Sequence, residues 1–131
     1  MEIKVTFDGN KKVNAHVRNH IVKTDQPVNG GGEDTAVTPY ELFLASLATC
    51  AGIYVKGFCD NRNIPAENIT LTQNHEFNEK GLLKKVELSI NVPKDFPEKY
   101  VDSLIHVASL CKVKQQLMSP PELSVKSKII E

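Results

Sequence analysis

Two cysteines, Cys50 and Cys111, are the residues whose type and setting could do chemistry in this chain. Cys50 lies inside a long apolar stretch that begins after Thr38, and Cys111 closes a second, shorter one. A thiol on such a segment can be a protected redox centre, and a second thiol can capture its sulfenic acid as a disulfide. The alternative is that each cysteine is a small buried apolar residue.

A reactive Cys50 needs help from other residues. In the middle of a helix it is far from the positive helix N-terminus, so a cation or a base must come from elsewhere. Arg18 is one such cation, although an arginine on the polar face of a strand is usually solvated. Lys112 and Lys114 would favour a Cys111 thiolate if they point inward, and otherwise form a solvated face.

Helix geometry separates Cys50 from two other candidates, Cys59 and Glu41. Each is nine positions away. In one helix this is about 13.5 Å of rise, and the two side chains point to opposite sides of the helix, about 180° apart. A disulfide needs Cα atoms within about 7 Å, so we expect Cys59 to stand apart. Glu41 fits a capping box with Thr38. Only from a second chain could Glu41, or Tyr40, serve the Cys50 site.

Composition excludes several classes of function. The chain has 131 residues with 16 basic and 16 acidic ones, and no basic run is interleaved with aromatic residues, which argues against nucleic acid as a partner. The apolar run 42–55 has 14 residues, short of the roughly 20 that a bilayer needs. The start of the chain alternates like a strand, unlike a signal peptide. We expect one soluble, cytoplasmic domain over residues 1–131, with reduced thiols and no membrane partner.

Metal and cofactor motifs are absent from the sequence. The histidines show no HExxH or CxxH spacing, and the glycine-rich segment lacks the ending of a phosphate loop. We therefore expect no metal and no bound cofactor.

The hydrophobic pattern predicts the elements that must position the cysteines. Alternating residues indicate strands, and apolar runs at helical spacing indicate helices. Strands are predicted over 2–8, 12–18, 20–24, 68–77, 82–92 and 123–130, and helices over 38–60 and 98–111, with a short turn through Leu117. The fold class is α+β with antiparallel sheets.

The helix over 38–60 is apolar on nearly every face, which one small sheet cannot cover. Two chains that wrap their sheets around two long central helices would cover both. We therefore predict an intertwined obligate homodimer.

Two motifs resemble the OsmC/Ohr family, which comprises osmotically inducible protein C and the organic hydroperoxide resistance proteins. The first is Pro39-Tyr40-Glu41-Leu42-Phe43-Leu44-Ala45 leading to Ala48-Thr49-Cys50, and the second is Cys111-x-Val113-x-x-x-Leu117. His20, Asp25-Gln26-Pro27 and Gly30-Gly31 are similar to the OsmC-like branch.

The resemblance implies an intertwined homodimer with active sites at its interface and thiol peroxidase activity toward organic hydroperoxides. It gives Cys50 the role of peroxidatic cysteine and Cys111 the role of resolving cysteine. A dithiol reductant, lipoyl-type or similar, would reset the pair.

Two positions depart from the peroxidase branch. That branch has a catalytic Glu directly after the proline, where this chain has Tyr40 and carries its acid at Glu41. It also uses an N-terminal arginine, for which Arg18 is the one candidate upstream of the helix, in a different local motif. Two hypotheses follow: an organic hydroperoxide reductase, or a redox-sensing or small apolar ligand-binding protein of the same fold with little peroxidase turnover.

Overall fold

The computed structural model describes residues 1–130 as a mixed arrangement of helices and antiparallel strands. The elements are β1 Ile3–Phe7, β2 Val13–Val17, β3 His20–Thr24, α1 Pro39–Asp60, β4 Thr70–Phe77, β5 Leu83–Asn91, α2 Val101–Ala108 and α3 Lys112–Met118. They fall into two compact units, an N-terminal unit that ends at Ser46 and a C-terminal unit that begins at Leu47.

The N-terminal unit is built on the antiparallel sheet β1-β2-β3. Its registers pair Val5 with Ala15 and Ala15 with Val22, as expected for strands that follow one another through tight turns. All three strands lie where the sequence predicts them, with β1 and β2 one residue shorter at each end than the alternating segments. The β1–β2 turn needs the left-handed backbone of Gly9, whose φ is 91°.

A buried carboxylate fixes the glycine-rich loop that follows β3. Asp25 is fully buried, and it accepts hydrogen bonds from the Gln26 backbone N–H at 2.7 Å and from the Thr35 hydroxyl at 2.7 Å. The Thr35 backbone N–H donates to the same carboxylate at 3.1 Å. The Thr35 bonds lower the pKa of Asp25 to about 2 because they favour the charged form.

The predicted capping box starts α1. The Thr38 backbone N–H donates to the Glu41 carboxylate at 2.9 Å, and the Glu41 backbone N–H donates to Thr38 Oγ1 at 3.1 Å. These reciprocal bonds satisfy donors that a helix start otherwise leaves unpaired. The bounds of α1 match the predicted helix to within one residue at its start.

The whole of α1 is long and apolar enough, by length and composition alone, to cross a membrane. The 14-residue run counted in the sequence is the uninterrupted apolar part of this longer helix. The core helix of a soluble protein passes the same test, so the finding is weak evidence for a membrane span.

The C-terminal unit packs the rest of α1 against the β4–β5 hairpin and α2. Its core holds fully or nearly fully buried residues from α1 and α2, backed by half-buried Leu71, Leu88 and Ile90 of the hairpin. The buried members are Ala51, Val55, Phe58, Cys59, Phe96, Leu104 and Ala108. The hairpin confirms the predicted second pair of strands, with Leu71 opposite Ile90.

Three predictions for the C-terminal part of the chain were wrong. The helix expected over 98–111 is a 3₁₀ turn, Glu98–Tyr100, followed by α2, which ends at Ala108. The turn expected through Leu117 is the helix α3. Residues 123–130 form no strand, because this segment pairs with none of the strands of the described chain.

Candidate functional site

The structure brings Cys50 and Cys111 together within the C-terminal unit. Cys50 lies in the second half of α1 and is half-buried, whereas Cys111 directly precedes α3 and is 3% exposed. Both are free thiols. Cys50 and Cys111 are therefore placed so that they could be oxidised to a disulfide and reduced again to two thiols.

The surroundings of Cys111 favour its protonated form. Burial raises the pKa of this thiol, and a hydrogen bond to Cys50 raises it further. The nearby backbone N–H and the charge of Lys114 act in the opposite direction without reversing the shift. Cys111 thus keeps its proton and lies within hydrogen-bonding contact of Cys50.

An apolar groove of about 640 Å³ opens beside the pair. We call this the α3 groove; its wall includes Leu47, Ala51, Leu88, Ile90, Leu104 and Ala108. Cys111 and Lys114 also line the groove, and Cys50 is not among its lining residues. The groove is formed by the packing of the hairpin, α2 and α3 around α1.

The third cysteine, Cys59, belongs to the hydrophobic core. It is fully buried, and burial first, then the charge of Asp60, raises the pKa of its thiol. A buried thiol with a raised pKa has little thiolate and little access to reagents. The expectation that Cys59 stands apart from the pair agrees with its place on the buried side of α1.

Arg18 and Glu41, the other predicted site residues, lie in the N-terminal unit. Arg18 is exposed in the turn between β2 and β3 with a φ of 52°, and so it is not on a strand face as expected. The Glu41 carboxylate is held at the start of α1, where the Thr38 backbone N–H and then its hydroxyl lower its pKa. Tyr40 stacks on Phe43, with ring centroids 5.9 Å apart. A catalytic part for Arg18 or Glu41 stays a prediction.

Within residues 1–130, no group of three or more His, Cys, Asp or Glu side chains is placed to hold a metal ion.

A family model and several solved structures agree on the fold of this chain. The family model for OsmC-like protein matches residues 31–126. A proposed osmotic stress induced and detoxification response protein from Psychrobacter arcticus is 23% identical, with a TM-score of 0.74, over 87% of this chain and 85% of that one. No curated protein matches the chain.

Two further solved structures are similar. An OsmC-like protein from Mycoplasma pneumoniae is 13% identical with a TM-score of 0.71, over 91% of this chain and 87% of that one. The organic hydroperoxide resistance protein OhrB of Bacillus subtilis is 22% identical with a TM-score of 0.56, over 92% of this chain and 93% of that one. At these identities the likeness establishes the fold.

Proposed function

The chain belongs to the OsmC-like family, and on that premise we propose that it reduces organic hydroperoxides through Cys50 and Cys111. Family membership and the fold shared with a hydroperoxide resistance protein support a redox or peroxide-stress role. The observation that carries the proposal is the interaction of the two thiols, with Cys111 protonated beside Cys50.

The proposed cycle uses the two thiols in order. The Cys50 thiolate attacks one oxygen of the hydroperoxide; the O–O bond breaks, and the alkoxide leaves and takes a proton to become an alcohol. Cys50 is now a sulfenic acid. Cys111 attacks that sulfur, so that an S–S bond forms and the hydroxyl group leaves as water with the Cys111 proton. A dithiol reductant, lipoyl-type or similar, returns both thiols.

We also propose that the working form is a cytoplasmic homodimer. Ile53 of α1 is 64% exposed in the single chain, and Val125 of the C-terminal segment is 99% exposed. Large apolar side chains left this exposed favour burial against a second copy. In such a dimer Arg18, Tyr40 or Glu41 of one chain can approach Cys50 of the other.

A second candidate function is that of a protein with the same fold but little peroxidase turnover. The α3 groove is apolar, and Tyr40 stands where the peroxidase branch has its catalytic Glu. These two features favour a redox-sensing or small apolar ligand-binding protein. Ligand-induced thermal stabilisation without rapid thiol oxidation would be its signature.

Titration of thiols under cumene hydroperoxide tests the proposed function. Wild type is expected to lose two thiols per chain, and Cys59→Ser to consume peroxide at the same rate because that thiol is fully buried. Cys50→Ser is expected to consume none, and Cys111→Ser to stop at a sulfenic acid that dimedone traps. An unchanged thiol titre in wild type under excess peroxide would contradict peroxidase activity and favour the second function.

A further inference from the structure

The two thiols of the candidate site are a pair of soft donor atoms. Cys50 and Cys111 lie in hydrogen-bonding contact, and neither is in a disulfide. Ala51, the neighbour of Cys50 on α1, lines the same groove as Cys111, which agrees with this contact. Cys50 is half-buried and Cys111 is 3% exposed, so the pair meets solvent mainly through Cys50.

The number of donors limits the kinds of ion that this pair can hold. Across the described residues 1–130, no third His, Cys, Asp or Glu side chain joins the two cysteines in a cluster. Zn²⁺ takes four protein ligands in structural sites and three in catalytic ones, and Mg²⁺ and Ca²⁺ take oxygen ligands. Two thiolates alone therefore suit a soft ion that is stable with two ligands, and Cu⁺ has both properties.

The distance between the sulfurs also fits such an ion. Two metal–sulfur bonds of about 2.3 Å each span at most about 4.6 Å from sulfur to sulfur. Thiols that are already in hydrogen-bonding contact need to separate only slightly to reach this arrangement. The fold therefore provides most of the organisation that a two-sulfur site requires.

Lys114 contributes a matching charge. Cu⁺ bound to two thiolates leaves one negative charge uncompensated, because the ion carries a single positive charge. The charge of Lys114 acts on Cys111, and the structure gives Lys114 no ion pair within residues 1–130. A nearby cation lowers the electrostatic cost of the anionic complex.

We propose that Cys50 and Cys111 form a two-coordinate binding site for Cu⁺. Each sulfur binds the ion as a thiolate, the two thiol protons pass to solvent, and no electron is transferred. This activity is separate from the proposed function, since binding requires no peroxide and no turnover. Because the ion occupies both sulfurs, it would also block any reaction of the pair with a hydroperoxide.

Anaerobic titration of the reduced protein with Cu⁺, in competition with the chelator bathocuproine disulfonate, tests the proposal. Wild type is expected to hold a single ion per chain. Cys50→Ser and Cys111→Ser should each bind at least about a hundredfold more weakly, because one thiolate remains. Cys59→Ser removes a fully buried thiol, and as the matched control it should bind like wild type. A Cys50→Ser variant that binds as tightly as wild type would overturn the proposal.

X-ray absorption at the copper edge counts the ligands in wild type, so it does not depend on the folding of a variant. We expect two sulfur neighbours and no nitrogen or oxygen neighbour. Three or more neighbours, or a single sulfur, would overturn the two-coordinate site. Zn²⁺ under the same competition should bind far more weakly than Cu⁺, since the pair offers it too few ligands.

The charge of Lys114 is tested against Lys112, which lies on the same helix but does not line the groove with Cys111. Lys114→Gln is expected to weaken Cu⁺ binding about three- to tenfold at low ionic strength, with little difference left at high salt. Lys112→Gln should have a clearly smaller effect. Equal losses in the two variants would overturn the part assigned to Lys114.

Discussion

Cys111 keeps its proton while it lies in hydrogen-bonding contact with Cys50, 61 positions earlier in the chain. Burial is the main reason that the pKa of Cys111 is raised, and the hydrogen bond to Cys50 is the next contribution in the same direction. The fold thus holds the protonated sulfur of Cys111 against the sulfur of Cys50. If Cys50 is oxidised to a sulfenic acid, the Cys111 thiol that would react with it is already in contact.

The three cysteines should differ in reactivity under native conditions. Cys50 is half-buried, whereas Cys59 is fully buried with a pKa raised by that burial. We expect iodoacetamide to label Cys50 at least about a hundredfold faster than Cys59, as followed by peptide mass spectrometry. In denaturant the three rates should converge. Equal native rates would contradict the place of Cys59 in the core.

Removal of the helix cap should destabilise the start of α1. Thr38→Ala loses the hydroxyl that accepts from the Glu41 backbone N–H at 3.1 Å, so we expect a loss of about 1 kcal/mol in the free energy of unfolding. Thr38→Ser keeps the hydroxyl and should cost clearly less. Urea denaturation of the two variants measures the difference, and equal stabilities would count against the capping box.

The buried carboxylate of Asp25 should make stability depend on acid pH. Its pKa of about 2 lies below the value of about 3.9 for an unfolded chain. The ionised group therefore stabilises the fold above about pH 4, and this contribution is lost as the pH falls toward 2. Thr35→Val, which removes the hydroxyl bond, should reduce that dependence.

Thermal unfolding of wild type and Asp25→Asn across this pH range provides the comparison. The asparagine variant should be less stable than wild type near neutral pH, and the gap should narrow as the pH falls from about 4 toward 2. A gap that stays constant over this range would show that folding does not lower the pKa of Asp25.

The C-terminal segment should contribute to self-association. Val125 is 99% exposed and Leu123 is 86% exposed in the single chain, which is costly unless another surface covers them. Val125→Asp should weaken the homodimer at least about tenfold in sedimentation equilibrium. Ser124→Asp, one position away, is the control. It should weaken the homodimer much less than Val125→Asp if only every second residue of the segment faces the partner. A monomeric wild type would contradict the proposed dimer.

Local pattern was enough to predict the N-terminal half of the fold. The strands of the N-terminal sheet alternate cleanly and join through short turns, and Thr38 with Glu41 marks the start of α1. These features depend on interactions between residues that are close in sequence. They can therefore be predicted without knowing which distant segments are in contact.

Predictions that depended on distant packing were less successful. The alternation in 123–130 resembles a strand, but a strand forms only when it pairs with another, and this segment pairs with none in the described chain. The helix expected over 98–111 stops early because the chain turns at Ser109, whose hydroxyl bonds back to the His106 carbonyl at 2.6 Å. The roles of Cys50 and Cys111 came from resemblance, since spacing alone cannot predict a contact between distant segments.

The most direct test is stopped-flow oxidation of the reduced protein by cumene hydroperoxide, with the disulfide mapped by mass spectrometry. We predict oxidation much faster than that of a free cysteine, followed by a Cys50–Cys111 disulfide and release of one alcohol per chain. Oxidation no faster than a free thiol, or a disulfide that includes Cys59, would contradict the peroxidase mechanism.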